Sequence, residues 1–372
     1  MLFTISTGSL QKQLQLLNGA VGANAVLPIL IDFLFELNGA QLTISASDQE
    51  TTMITEVEVM GTEDGTVAIP AKLLNDVLKS LPEQPITFSI DAYSYAIELR
   101  TQNGMYKIAG ENPGSFPEMT APEKSNTLTL NSDVLANATE KTLFAVGTDQ
   151  LRPAMTGVFC NFDDTGATFV ATDAHKLVKY EHYGQQFTTA IQFILPKKAL
   201  TLLKNALPAK QTIVHLTYNK TNALFRFENI QLSCLLIEGR YPDYTVVIPK
   251  DNSNIVTINR TDLLASLKRS LIFSNKSTFE VVLSVSENEL KINTQDLDFY
   301  TEAHESISCD YQGTAMDIAF NARFLVELLS SMDVADVLIE LSVPHRAALI
   351  LPAEQAENEN LLMLIMPIMR YS

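Results

Sequence analysis

The sequence repeats one pattern three times, and this constrains the fold more than any other feature. The matched segments keep a nearly constant spacing along the chain, so chance similarity of any one segment matters little. The matches are Phe3-Thr4-Ile5 with Leu128-Thr129-Leu130 and Val256-Thr257-Ile258; Leu10 with Leu135 and Leu263; Pro28 with Pro153; Ser47-Asp48 with Thr172-Asp173; Leu81-Pro82 with Leu207-Pro208; and Phe116-Pro117-Glu118 with Tyr241-Pro242-Asp243. We therefore predict three copies of one domain, at 1–123, 124–252 and 253–372.

Each copy has the same predicted order of elements: a strand, an amphipathic helix, alternating strands, and a second strand–helix pair. In copy one, Leu10, Leu14 and Leu17 share one helical face. An Asn38-Gly39 turn signal then precedes an alternating strand at 42–44. The fold class is therefore α+β, with two helices and mostly antiparallel sheet in each copy. The predicted helices cover 9–18, 71–80, 132–145, 197–210, 260–271 and 322–332.

Composition excludes several classes of protein. The 372 residues include 26 Lys+Arg and 43 Asp+Glu, a net charge of −17, which argues against a simple basic nucleic-acid binder. No apolar run reaches the ~18 residues of a membrane helix, and the N-terminus does not resemble a signal peptide. Cys160, Cys234 and Cys309 form no metal-binding or disulfide spacing, so we expect a reduced, cytoplasmic protein.

Positive charge concentrates in the predicted helices despite the acidic total. A single basic helix face is ordinarily a solvated surface, and that interpretation stays open for each helix alone. Together, however, the six helices hold twelve basic residues against five acidic ones. This favours a surface that meets phosphates through the backbone of duplex DNA, without base readout. The basic residues are Lys12, Lys72, Lys79, Lys141, Lys197, Lys198, Lys204, Lys210, Arg260, Lys268, Arg269 and Arg323.

No catalytic signature is present in the sequence. It contains no phosphate-binding glycine loop, zinc-protease motif or nucleophile elbow, and its histidines are not at metal-ligand spacings. Asp173 and His175 are either an acid/base pair or a structural pair at the end of a strand. We expect no enzymatic activity, no cofactor and no metal. An enzyme would need a convergent polar site, and a ring scaffold that does not act on DNA would lose the helix charges.

The chain resembles the bacterial DNA sliding clamp family, the beta subunit of DNA polymerase III, over its whole length. The most specific segments are 170–177 (VATDAHKL), 238–244 (EGRYPDY), 285–292 (VSENELKI) and 366–370 (MPIMR). The resemblance implies a head-to-tail homodimer that closes into a six-domain ring around duplex DNA. Its implied role is a processivity factor that tethers the replicative polymerase. The implied partners are duplex DNA, the polymerase, the clamp loader, and other polymerases and repair proteins that carry a clamp-binding peptide, with no membrane.

The resemblance also implies three sets of site residues. The peptide-binding pocket would comprise Met155, Thr172, Ala174, His175, Lys176, Leu177, Pro242, Val246, Val247, Asn321, Phe324, Leu364, Met366, Pro367, Ile368, Met369 and Arg370. The DNA-facing residues would be Lys12, Lys72, Lys79, Lys141, Arg152, Lys197, Lys198, Lys204, Lys210, Lys268 and Arg269. The dimer interface would join Lys72, Leu73, Tyr106 and Ile108 to Ile272 and Phe273, with Glu302 and Glu305 as ionic partners.

The C-terminal sequence supports the pocket independently. Residues 361–369 are apolar throughout, and Pro367 cannot donate to a strand ladder, so the last strand should end before it. Ile368 and Met369 would then lie on a surface tail, where a methionine-rich patch suits many related peptides. The pocket departs from the family pattern at several positions: Ala174 for glycine, Lys176 and Val246 for arginine, Thr278 for an aromatic residue, and one extra residue in the tail.

Overall fold

The structure, a computed structural model, describes residues 1–22, 27–119 and 122–369. The chain forms two compact units. The first unit consists of Met1–Ala136 and Lys198–Leu236, and the second of Asn137–Lys197 and Ile237–Ser372. The units therefore do not coincide with the copies in the sequence, because the middle copy contributes one part to each. The domain boundaries at 123 and 252 remain a prediction.

The helices and strands follow the same order in each copy. Copy one contains β1 (Leu2–Ser6), α1 (Thr7–Leu17), β2 (Asp32–Asn38), β3 (Gln41–Ser47), β4 (Thr51–Glu58), β5 (Met60–Glu63), β6 (Gly65–Pro70), α2 (Ala71–Ser80), β7 (Pro85–Ile90), β8 (Ala96–Arg100) and β9 (Met105–Ala109). Copy two contains β10 (Asn126–Asn131), α3 (Ser132–Thr142), β11 (Gly157–Asp163), β12 (Gly166–Thr172), β13 (Lys176–His182), β14 (Ile191–Pro196), α4 (Lys197–Ala206), β15 (Ile213–Tyr218), β16 (Asn222–Phe227) and β17 (Ile230–Leu235). Copy three contains β18 (Asn254–Asn259), α5 (Arg260–Phe273), β19 (Glu280–Ser286), β20 (Glu289–Asp296), β21 (Thr301–Ser308), β22 (Met316–Asn321), α6 (Ala322–Ser330), β23 (Asp336–Leu341), β24 (Ala348–Pro352) and β25 (Glu359–Ile365).

The strands of the described residues form four antiparallel sheets, which confirms the α+β class. The first unit has a five-stranded sheet, β5-β1-β7-β8-β9, and an eight-stranded sheet, β10-β15-β16-β17-β4-β3-β2-β6. The second unit has an eight-stranded sheet, β14-β11-β12-β13-β25-β24-β23-β18, and a four-stranded sheet, β21-β20-β19-β22. Both eight-stranded sheets continue from one copy into the next.

Two strand pairs join adjacent copies, and we call them joint one and joint two. At joint one, β4 of copy one pairs with β17 of copy two, with Thr51 opposite Cys234. At joint two, β13 of copy two pairs with β25 of copy three, with Lys176 opposite Ile365. Adjacent copies are therefore held by backbone ladders as well as by side-chain packing.

All six predicted helices are present in the described residues, with differences at their ends. The Ser6 hydroxyl caps α1 by accepting the N–H of Ser9, and Leu10 and Leu14 bury its apolar face. Helix α4 ends at Ala206 rather than at 210, because Pro208 disfavours helical backbone in the residue before it. Lys210 therefore lies beyond the helix, and the helices hold eleven bases against five acids.

The cysteines, the lengths of the helices and the possible metal ligands complete the description of the fold. The three cysteines are not joined in disulfides, and Cys160 and Cys234 are buried. In the ranges that the structure describes, no helix has the length and apolar content to cross a membrane. No group of His, Cys, Asp and Glu in those ranges could hold a metal ion.

Candidate functional site

The β12–β13 turn is built by the Asp173 side chain. Its Oδ1 atom accepts the backbone N–H groups of His175 and Lys176, both at 2.9 Å. The Thr172 hydroxyl donates to the carbonyl of Lys176 at 2.7 Å and accepts the N–H of Ala174 at 3.1 Å. The Asp173 carboxylate thus faces backbone and the Lys176 ammonium at 2.6 Å. Both carboxylate oxygens of Asp173 are engaged within the turn, which favours the structural interpretation of Asp173 and His175 over the acid/base one.

The C-terminal tail connects this turn to copy three. Strand β25 ends at Ile365, as Pro367 requires. The Met366 N–H then donates to the carbonyl of His175 at 2.8 Å, and the Ile368 N–H donates to Ala319 at 2.7 Å. Met366 and Met369 are exposed, at 42% and 59%. Ile368 is half-buried, which corrects the expectation that its whole side chain lies on the surface.

Phe324 of helix α6 lies between two side chains of the turn. Its ring stacks on the His175 imidazole, with centroids 5.9 Å apart and an interplanar angle of 22°. The Lys176 ammonium lies over the same Phe324 ring, 4.3 Å from the ring centroid. Copies two and three therefore meet through an aromatic contact at the predicted pocket.

Lys176 is almost completely buried, at 4% exposure. A buried ammonium needs charged partners, and its Nζ atom pairs with Asp173 at 2.6 Å and with Glu327 at 3.1 Å. The sequence did not single out Glu327. Glu327 lies one helical turn beyond Phe324, and this spacing could have identified it from the sequence.

Asn321 has a structural role at the start of α6. Its side-chain oxygen accepts the N–H of Arg323 at 2.9 Å, which caps the helix. Its amide donates to the carbonyl of Thr278 at 3.1 Å. Both ends of the side chain are therefore engaged within copy three, and Asn321 positions Phe324 rather than offering a free amide to a ligand.

The remaining predicted residues divide into a buried floor and an exposed rim. The floor consists of Met155, Thr172, Leu177 and Leu364, all buried, and Leu177 and Leu364 share a core cluster with Tyr241. Burial raises the pKa of the Tyr241 hydroxyl. The rim consists of the exposed Ala174, His175, Pro242, Val246 and Val247. Arg370 lies outside the described residues.

The rim segment after Pro242 is rigidified locally. The Thr245 hydroxyl donates to Asp243 at 2.6 Å, and this bond lowers the pKa of the Asp243 carboxyl. The next residues, Val246 and Val247, are 76% and 50% exposed. The site therefore offers exposed apolar side chains on a fixed backbone, which suits an apolar peptide anchor.

Ala174 provides a test of the turn geometry. Its φ is 76°, where an L-residue costs about 1–2 kcal/mol, while the freedom of glycine in the unfolded chain offsets about 0.4–1 kcal/mol. We expect Ala174→Gly to raise the free energy of unfolding by about 0.5–1 kcal/mol, measured by urea denaturation. The control is Ala171→Gly in β12, which should lower it. An Ala174→Gly variant no more stable than the parent would contradict the strain argument.

The predicted DNA-facing residues fall into two groups. One group is exposed: Lys12, Lys72, Lys79, Lys197, Lys204, Lys210 and Lys268. The other group pairs with acids of its own unit: Lys141 with Glu359 at 2.6 Å, Arg152 with Asp149 at 2.9 Å, Lys198 with Asp48 at 2.5 Å and Arg269 with Glu305 at 2.5 Å. The second group has less charge available for phosphate than the sequence suggested.

The predicted dimer residues lie on the edge strands β9 and β21 of the two smaller sheets and on helices α2 and α5. In the described residues, β9 is the last strand of the five-stranded sheet and β21 is the last strand of the four-stranded sheet. Large apolar side chains are exposed on both sides: Leu73 at 47%, Tyr106 at 39%, Ile272 at 68% and Phe273 at 39%. Lys72 and Glu302 are exposed as well.

Two predicted dimer residues are already engaged within the single chain. Ile108 is 4% exposed, so its side chain is already buried in its own copy. Glu305 accepts hydrogen bonds from Arg269 at 2.7 and 2.5 Å and from Ser266 at 3.0 Å. The Arg269 guanidinium lowers the pKa of the Glu305 carboxyl. Glu305 therefore stabilises the packing of α5 on β21 rather than remaining free as an ionic partner.

The chain has three repeated α+β copies, its joints lie inside shared sheets, and its helices are basic. Together these features define the class of DNA sliding clamps. Family profiles of the DNA polymerase III beta subunit match the chain in sequence: the N-terminal domain at residues 1–120, the central domain at 129–243 and the C-terminal domain at 245–369. The chain belongs to the DNA polymerase III beta subunit family.

Similar proteins agree with this assignment. The beta sliding clamp of Vibrio cholerae is 26% identical over 370 residues, covering 99% of this chain and 100% of that protein. A sliding clamp from Pseudomonas aeruginosa, solved bound to griselimycin, has a TM-score of 0.92 at 25% identity, and the match covers both chains completely. The sliding clamp of Bacillus subtilis, at 22% identity, has the same fold, with a TM-score of 0.92.

Proposed function

We propose that this chain is the processivity factor of a replicative DNA polymerase. Two copies close head to tail into a six-domain ring that encircles duplex DNA without sequence specificity. The observation that carries the proposal is the full-length match to three beta-subunit domains, and the excess of bases in the helices supports it. We propose the domain boundaries 1–123, 124–252 and 253–372 for the three parts of each half-ring.

A ring solves a physical problem that affinity alone does not. A polymerase held only by phosphate contacts dissociates readily, because that affinity falls steeply with salt. A topological link needs no tight contact, and weak contacts partly mediated by water let the ring slide. The moderate number of exposed lysines fits this requirement, since a strongly basic lining would slow movement along DNA.

The partners would dock on the surface formed by the β12–β13 turn, helix α6 and the C-terminal tail. We propose that the polymerase, the clamp loader and repair proteins use short segments with a glutamine and two or three apolar side chains. A buried leucine or phenylalanine contributes about 1.5–3 kcal/mol, so two anchors leave micromolar affinity after ordering costs. The sliding clamp of the Pseudomonas relative was solved bound to griselimycin, which supports a ligand-binding surface in this family.

We propose that the protein works without catalysis of its own and acts in the cytoplasm, where bacterial DNA is replicated. A scaffold of the same fold that does not meet DNA is the alternative function. The exposed bases on α1, α2, α4 and α5 favour the clamp over this alternative.

The DNA contact should be weak and the topological link strong. We expect micromolar or weaker binding to short linear duplex, lost at moderate salt, whereas protein loaded on closed circular DNA survives that salt and is released on linearisation. Changing Lys12, Lys79 and Lys268 together to Glu removes six lysines from a ring of two chains, so it should reduce the salt slope of linear binding by up to about 5 and impair loading. Retention is measured by gel filtration of the loaded circles.

A matched control separates local contact from net charge. The control variant combines Lys124→Glu, Lys220→Glu and Lys291→Glu. It changes the net charge by the same amount as the helix variant, at sites outside the helices, and it should leave binding to linear duplex nearly unchanged. A linear complex that resists salt, or that selects a sequence, would disprove sliding.

A further inference from the structure

The second unit contains a cavity that shares no residue with the predicted peptide pocket. Its volume is about 390 Å³, which is within the range of small-molecule sites. Copy two contributes helix α3 to the lining, and copy three contributes the end of helix α6 and the loop between β24 and β25. A ligand in this cavity would therefore contact both copies that meet at joint two.

Part of the lining is fixed by a hydrogen-bond network around Glu359. Its Oε2 atom accepts the Lys141 ammonium at 2.6 Å, and its Oε1 atom accepts the Tyr180 hydroxyl at 2.8 Å and the Asn137 amide at 3.3 Å. The Lys141 ammonium also lies over the Tyr180 ring, 4.6 Å from the ring centroid. Both oxygens of Glu359 and the charge of Lys141 are therefore satisfied by each other and by their neighbours. This network gives the cavity its shape and leaves ligand binding to other side chains.

The loop between β24 and β25 is held in place by Gln355. Its side-chain amide donates to the carbonyl of Leu361 at 3.0 Å, and its side-chain oxygen accepts the N–H of Leu361 at 2.9 Å. These two bonds fix the loop, which also carries Glu354, against the start of β25. The cavity is therefore formed before a ligand arrives, which lowers the entropy lost on binding.

Another part of the lining is apolar. Met332 and Leu361 are each 4% exposed, and Val334 is half-buried. Water gains little from such a surface, whereas the methylene groups of a ligand are stabilised by leaving water to pack on it. The cavity therefore favours a ligand with an aliphatic part.

The exposed part of the lining is rich in carboxylates. Glu140, Asp333 and Glu354 all lie there and are exposed. Among the residues that the structure describes, the carboxylates of Asp333 and Glu354 have no hydrogen-bond or ion-pair partner. Arg260 donates to the carbonyl of Val334 at 2.9 Å and does not line the cavity. Negative charge without a partner therefore lies beside an apolar surface.

The repeat shows that this chemistry is particular to joint two. Counted from the starts of the corresponding helices, Leu16 of α1 holds the place of Lys141, and Pro208 after α4 holds the place of Asp333. Joint one therefore lacks both the charged network and one of the exposed carboxylates. A cavity chemistry required by the fold alone would be the same at both joints.

We propose that this cavity binds a linear polyamine, a chain of methylene groups with an ammonium group at each end. The ammonium groups pair with Asp333 and Glu354, and the methylene groups pack on Leu361 and its apolar neighbours. A metal ion would leave the apolar surface unused, and the carboxylates would repel an anion. The bound chain connects copy two to copy three and stabilises the second unit. The site needs only the single chain, so its failure would leave the proposed clamp function untouched.

The test titrates the protein with spermidine by isothermal titration calorimetry. At a salt concentration of about 0.15 M, attraction between charges more than about 8 Å apart is screened. We expect one saturable site per chain with a dissociation constant below about 1 mM, and a melting temperature that rises with spermidine. Asp333→Asn combined with Glu354→Gln should weaken binding about tenfold, because both ion pairs are lost. Both side chains are exposed, so this variant should keep the circular dichroism spectrum of the parent.

A charge-matched variant serves as the control. Asp164→Asn combined with Glu287→Gln removes the same charge at exposed positions outside the lining, and it should leave spermidine affinity unchanged. An equal loss of affinity in the two variants would show diffuse attraction to an acidic chain and would overturn the proposal. So would a parent protein with no saturable site.

The length of the ligand tests the apolar contact. Cadaverine, with five methylene groups, should bind more tightly than diaminopropane, with three, by up to about fourfold for each further methylene that is buried. Ser330→Lys places a tethered ammonium in the lining and should compete with spermidine. Equal affinity for the two diamines would overturn the polyamine assignment in favour of a simple counterion. Undiminished spermidine binding by the Ser330→Lys variant would place the ligand outside this cavity.

Discussion

Deletion of residues 366–372 is expected to abolish peptide and polymerase binding while the protein remains folded and dimeric. Strand β25 ends at Ile365, so its seven-residue ladder with β13 survives the deletion. The lost backbone bonds are those of Met366 to His175 and Ile368 to Ala319, both at the candidate site. Fluorescence polarisation with a labelled peptide containing glutamine and leucine measures the loss, and light scattering on the same sample measures the dimer.

A pair of single substitutions provides the matched control. Met366 and Leu235 occupy corresponding positions at joint two and joint one, and they are 42% and 46% exposed. Met366→Ala should weaken peptide binding about tenfold or more, since it removes most of one apolar anchor. Leu235→Ala should leave binding unchanged. Unchanged peptide affinity in the dimeric truncation would place the site elsewhere.

Ile272→Ala combined with Phe273→Ala is expected to give a folded monomer. The two side chains are 68% and 39% exposed in the single chain, so truncating Ile272 costs the fold little, whereas truncating the more buried Phe273 costs it more. If the dimer buries both, the loss is about 4–8 kcal/mol of association free energy. The Lys276 ammonium donates to the carbonyl of Ile272 at 2.7 Å, a backbone contact that both substitutions leave in place. Size-exclusion chromatography with light scattering measures the mass.

Measuring the mass over a series of protein concentrations shows whether the double variant is a monomer. A double variant that still elutes as a dimer below micromolar concentration, with an unchanged melting temperature, would show that these residues lie outside the dimer interface. A variant that loses its melting transition would instead show that Phe273 is needed by its own copy. The single variant Ile272→Ala separates these outcomes, because Ile272 is the more exposed of the two.

The sequence predicted the helices well because their signals are local. Leucines at helical spacing, such as Leu10, Leu14 and Leu17, mark α1 within a few positions. The repeat predicted the order of elements for the same reason, since each copy carries its own turns and periodicity. Where the prediction failed locally, as at Pro208, one residue explains the difference.

Long-range contacts could not be predicted in this way. The pairing of β4 with β17 and of β13 with β25 joins strands that are far apart in sequence, and no local pattern encodes it. The same limit explains Lys198, which pairs with Asp48, and Glu305, which pairs with Arg269. A charged residue on a helix has the same sequence signal whether its partner is a phosphate or a carboxylate.

The offset between copies and compact units has a consequence for synthesis on the ribosome. When copy two has emerged, β13 still lacks its neighbour β25, which belongs to copy three. Until then the nascent chain exposes a strand edge with Leu177, Val178 and Tyr180, all of which are buried in the finished protein. The second unit should therefore complete its folding only after β25 has emerged from the ribosome. Aggregation or the need for chaperones should be greatest when translation slows between β13 and β25.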